Sequence, residues 1–71
     1  MDDDAFKAVQ KAERRAKRIA AEKAMELHDL VEDGLPGAFE KLPQIAQDTY
    51  DACKVWADAN AALKAVEQDR G

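Results

Sequence analysis

Apolar residues recur in the first half of the chain at Phe6, Val9, Ala12, Ala16, Ile19, Ala20, Leu27 and Leu30, with Val31 beside them. Intervals of three and four residues place them on one stripe of a helix. The positions between are mostly charged, so the pattern predicts one long helix over about 3–33. Asp2, Asp3 and Asp4 suit its start, where acidic side chains cap free N–H groups and meet the positive end of the helix dipole. Gly34 suits its end. Both prolines and the two internal glycines fall between positions 34 and 43, the strongest break in the chain. A second helical pattern follows over about 43–69, with Pro43 in its first turn.

The second segment carries Ile45, Ala46, Thr49, Tyr50, Cys53, Trp56, Ala57 and Leu63, preceded by Leu42. Two seven-residue rows emerge, Leu42–Thr49–Trp56–Leu63 and Ala46–Cys53–Asn60–Glu67, which is the repeat of a coiled-coil seam. With Ile45 and Tyr50 at its edges the face spans roughly 140°, wider than one neighbouring helix covers. The reading is an all-α antiparallel two-helix hairpin, a single domain over 1–71. Its connection, 34–42, folds Leu35, Phe39 and Leu42 back over the bundle end. A second copy then covers the wide face in a four-helix bundle or higher oligomer. The interface assigned to that copy is Leu27, Leu30, Ile45, Thr49, Cys53, Trp56, Asn60 and Leu63, with Asn60 as a candidate register device.

Composition strengthens this picture. A chain of 71 residues is marginal as a lone fold, and its single cysteine, Cys53, forbids an internal disulfide. The lone cysteine and the acidic start Met1-Asp2-Asp3-Asp4, unlike a secretory leader, point to a cytoplasmic setting. No apolar run is long enough to span a membrane. The net charge of −4 argues against nucleic acid as a general partner. Charge is also segregated. Seven basic residues lie between Lys7 and Lys23 against two acids, and seven acids lie between Glu26 and Asp51 against Lys41. Two hairpins packed head to tail would set the basic stem of one against the acidic loop end of the other. Lys7, Lys11, Arg14, Arg15 and Arg18 form a basic stripe opposite the apolar one, which reads first as a solvated face.

The densest polar cluster is Glu26-Leu27-His28-Asp29-Leu30-Val31-Glu32-Asp33. His28 and Glu32, four apart, share a helix face and form two potential ligands for a divalent metal. Two are too few, so a second chain would have to complete the site. Catalysis finds no support. Cys53 lies on the apolar pattern without a neighbouring base, serine is absent, and no glycine-rich phosphate loop exists.

The stretch Met25–Asp33, then Leu35-Pro36, Leu42-Pro43-Gln44-Ile45-Ala46 and Thr49-Tyr50-Asp51-Ala52, resembles the Rop-like small helical-hairpin proteins encoded in nitrogen-fixation gene clusters. The ordered match covers about residues 24–57, with Gly34 standing as an insertion before Leu35-Pro36. The resemblance implies a non-enzymatic hairpin that dimerises or forms higher bundles. It implies a role in nitrogen fixation through contact with nitrogenase or its assembly proteins. It moves attention to the acidic loop end, where Glu26, Asp29, Asp33 and Phe39 become candidate partner-binding residues. It also keeps divalent metal at His28 and Glu32 in play. RNA binding by the basic stripe rests only on analogy with the plasmid-control protein that names the fold.

Overall fold

The computed structural model describes residues 3–70 as two long antiparallel helices forming a rod of 52 × 14 × 13 Å. Helix α1 spans Asp3–Asp29 and helix α2 spans Leu42–Arg70. The cap expected of Asp2 lies outside the described residues. Alanine and long unbranched side chains fill most positions of both helices, which costs little rotamer freedom.

The α-helical ladder of α1 stops at Asp29, four residues earlier than the sequence pattern predicts, and continues as one wider π turn over Leu30–Gly34. The glycine has a packing reason. A Cβ built on Gly34 would lie 2.9 Å from Leu30 Cδ1, and Leu30 is one of the few buried side chains. Chain reversal follows through a cis Leu35–Pro36 peptide and a short 3₁₀ turn at Phe39–Lys41. The N–H of Ala38 donates to the Gly34 carbonyl at 2.7 Å, and that of Phe39 to the Pro36 carbonyl at 3.1 Å. These bonds satisfy groups that the helix end would leave open.

Of the three residues expected to close the bundle end, Leu35 and Leu42 are partly buried. Phe39 is not: it is 61% exposed. The 3₁₀ turn faces its ring outward, and the two leucines suffice to cover an end only two helices wide.

The hairpin seam follows strict heptads on both sides. From α1 come Phe6–Glu13–Ala20–Leu27 and Val9–Ala16–Lys23–Leu30; from α2 come Leu42–Thr49–Trp56–Leu63 and Ile45–Ala52–Ala59–Val66. Every one of these sixteen residues is partly or fully buried. The second α2 row therefore differs from the predicted Ala46–Cys53–Asn60–Glu67. Ala46, Cys53 and Glu67 are exposed and Asn60 is only partly buried. Both rows flank Leu42–Thr49–Trp56–Leu63 at helical spacing, so periodicity cannot choose between them. Burial of Ile45 and Val66 instead of Ala46 and Glu67 removes more apolar surface from water, which decides the rotation of α2.

A similar exchange occurs on α1, where Ala12 and Ile19 lie outside the seam and Glu13 and Lys23 lie in it. Glu13 is accommodated by a specific bond, and the Lys23 side chain reaches out to Glu26 Oε1 at 3.8 Å. Trp56 Nε1 donates to Glu13 Oε1 at 3.0 Å, and the single hydroxyl proton of Thr49 is shared between the Lys23 carbonyl at 3.1 Å and the Ile45 carbonyl at 2.9 Å. The Thr49–Lys23 bond sets the register, which brings Ala20 level with Ala52 and Ala16 with Trp56. Alanine at 16, 20 and 52 leaves room at these levels, for the Trp56 ring at one and for close backbones at the other.

Candidate functional site

The loop end carries the residues the sequence marked for partners and metal. Met25, Val31 and Phe39 are 59%, 57% and 61% exposed, and Glu26, Asp29, Glu32, Asp33 and Glu40 are exposed beside them. Apolar side chains interspersed with carboxylates make a mixed surface of the type found at the core and rim of protein interfaces. His28 sits within it, its Nε2 3.3 Å from Glu32 Oε2 and its Nδ1 3.7 Å from Asp29 Oδ1. Glu26 pairs loosely with Lys23 Nζ at 3.8 Å. The two carboxylates address opposite nitrogens of the imidazole. Only Glu32 therefore shares a ring edge with Nε2, and no group of three or more potential ligands converges among the described residues. One chain alone does not fit a metal centre.

The residues assigned to an oligomer interface divide into two sets. Leu27, Leu30, Ile45, Thr49, Trp56 and Leu63 serve the hairpin's own seam and keep only part of their surface for another chain. Cys53, which is exposed, and the partly buried Asn60 stand just outside the seam on one flank. Ala46 belongs to the same row, and Tyr50, 64% exposed, adjoins it.

The opposite flank holds what periodicity missed. Ala8, Ala12, Ala16 and Ile19 from α1 and Val55 from α2 floor an open groove of about 420 Å³, with Lys11 and Arg15 on its rim. Val55 is 60% exposed although β-branched and apolar. The clue was available in the heptads. Val55 lies one residue before Trp56 and Ile19 one before Ala20, so each precedes a seam residue and falls on the same side. A second concavity of about 470 Å³ is lined wholly by Lys11, Arg14, Arg15 and Arg18.

The fold thus presents two long helical flanks and a mixed loop end as its exposed surfaces. The chain belongs to the Rop-like family, which it matches over residues 4–68. That family consists of small structural helical proteins that oligomerise, rather than of enzymes. No curated protein and no solved structure matches the chain significantly. Among the described residues no helix is long and apolar enough to cross a membrane.

Proposed function

We propose that this protein is a non-enzymatic accessory factor of nitrogen fixation that works as a self-associated helical bundle and contacts nitrogenase or its assembly proteins through the acidic loop end. The observation that carries the self-association is the poverty of the hairpin's interior. Only Ala16, Ala20 and Leu30 are buried among the described residues, at 7%, 2% and 8% exposure. The accessible surface of 5413 Å² exceeds by about 1,000 Å² the roughly 4,400 Å² usual for a folded monomer of this mass. Part of that excess reflects the elongated shape. It is also close to the ~800 Å² per partner that a stable interface covers.

The flank carrying Ala46, Tyr50, Cys53 and Asn60 is the face for the second copy. Head-to-tail packing sets the basic stem near the acidic loop end of the neighbour, and exposed charges of this kind orient more than they stabilise. The mixed surface of Met25, Glu26, Asp29, Val31, Asp33 and Phe39 stays at the ends of the bundle, free to dock. Sedimentation equilibrium should show a dimer or larger at micromolar concentration; a monomer refutes the assembly. Affinity capture from nitrogen-fixing cells should recover a nitrogenase or assembly component with the wild type and lose it with Phe39→Asp. Recovery of none refutes the role.

The 3.3 Å His28–Glu32 approach supports a second reading, a divalent metal shared between chains. Calorimetric titration with zinc or nickel should then give less than one ion per chain. An unchanged titration in His28→Ala removes this reading.

A further inference from the structure

We infer that the groove floored by Ala8, Ala12, Ala16, Ile19 and Val55 is a docking site for an acidic amphipathic helix of another protein. The groove lies across the seam from the Cys53–Asn60 flank, so it remains open when that flank is covered by a second copy. The proposal rests on that choice of dimer face, and the test below separates the two.

The floor is apolar and runs along the hairpin, contributed by four successive turns of α1 and one β-branched side chain of α2. Such a surface takes the stripe of a helix whose anchors recur at three- and four-residue intervals. The floor is alanine apart from Ile19 and Val55, so it leaves room for anchors the size of leucine. The rim specifies charge. Lys11 and Arg15 stand on the groove edge, and Arg14 and Arg18 continue the cationic surface beside it. The salt bridges of the described residues involve Lys23, His28 and Lys54, so none neutralises these four cations. From Lys11 to Arg18 they cover about 10 Å of helix axis. Carboxylates four residues apart on a partner helix match this spacing.

The hairpin's net charge of −4 does not prevent this. At physiological salt, fields decay over about 8 Å, so a partner helix in the groove meets Lys11 and Arg15 rather than this hairpin's own acidic loop end, and the neighbour's acidic end lies on the opposite, Cys53–Asn60 flank. Arginine favours paired contact with carboxylates, which adds direction to the attraction. A nucleic acid would use the cations but gain nothing from the apolar floor, and the floor therefore favours a protein helix.

The test uses the full-length protein and a fluorescent synthetic helix of about five turns, with leucine and alanine at three- and four-residue intervals and glutamate between. Its glutamine counterpart and a duplex RNA of equal length serve as controls. Fluorescence anisotropy should show binding to the glutamate peptide that is at least tenfold tighter than to the glutamine peptide and that weakens with salt. Val55→Asp and the double variant Lys11→Glu/Arg15→Glu should each weaken it at least tenfold. Circular dichroism should confirm helix content, and sedimentation should give an unchanged oligomer. The proposal is overturned if the glutamine peptide binds equally well or if Val55→Asp leaves binding intact. It is equally overturned if duplex RNA binds more tightly, or if Val55→Asp dissociates the oligomer, which would make a second copy the occupant. A monomeric wild type that still binds the peptide would refute the bundle while keeping the groove.

Discussion

Replacing Trp56 with Phe removes the indole N–H while keeping an aromatic ring in the seam. The bond lost runs 3.0 Å to Glu13 Oε1 and links residues forty-three apart in sequence. Hydrogen bonds to charged groups contribute about 1.5–3 kcal/mol when well shielded. Glu13 and Trp56 are only partly buried, so water can recover part of the loss for the carboxylate. A penalty of about 1–2 kcal/mol follows for the bond, with a smaller addition from the reduced ring. Glu13→Ala removes the acceptor altogether, together with part of the seam packing. The two changes share one bond, so their effects should fall short of additive by about 1 kcal/mol in a double-mutant cycle. Urea unfolding followed by far-ultraviolet circular dichroism measures all four proteins. Total protein concentration must be held constant because association contributes to stability. Additive effects within about 0.3 kcal/mol would refute the claim that this bond is what admits a glutamate to the seam.

Three further outcomes follow from the same geometry. Ala20→Leu inserts a large side chain into the hairpin seam, at a residue 2% exposed, and should cost about 1–3 kcal/mol by urea midpoint; a neutral result would mean the helices can part there freely. Phe39→Asp alters a residue 61% exposed and should change stability by less than about 0.5 kcal/mol, so a lower urea midpoint beyond that would place the ring in the structural plug after all. Cys53 is exposed in the hairpin but lies on the proposed dimer face, so alkylation should be slow at high protein concentration and accelerate on dilution; a concentration-independent rate would move the dimer face elsewhere.

The loop end and the groove were legible to different degrees. His28 and Glu32 could be placed on one face from their spacing alone, because a helix fixes which neighbours meet at four residues. The exposure of Phe39 could not, since a ring in a nine-residue connection points wherever the turn sends it. The groove was hidden for another reason. Its floor joins α1 residues to Val55, and only the relative rotation of two helices brings them to one side.

Local periodicity by itself determined that this chain forms two long helices broken near Gly34, with an apolar stripe along the first and a seven-residue repeat in the second. Helix formation depends on neighbours within four residues, and those are written directly in the sequence. Only the tertiary structure decided which row beside Leu42–Thr49–Trp56–Leu63 turns inward. Ala46–Cys53–Asn60–Glu67 and Ile45–Ala52–Ala59–Val66 have the same period, and the choice rests on the apolar surface each buries against the other helix. The same rotation carried Cys53 outward, admitted Glu13 to the seam opposite Trp56, and opened the groove at Ile19 and Val55.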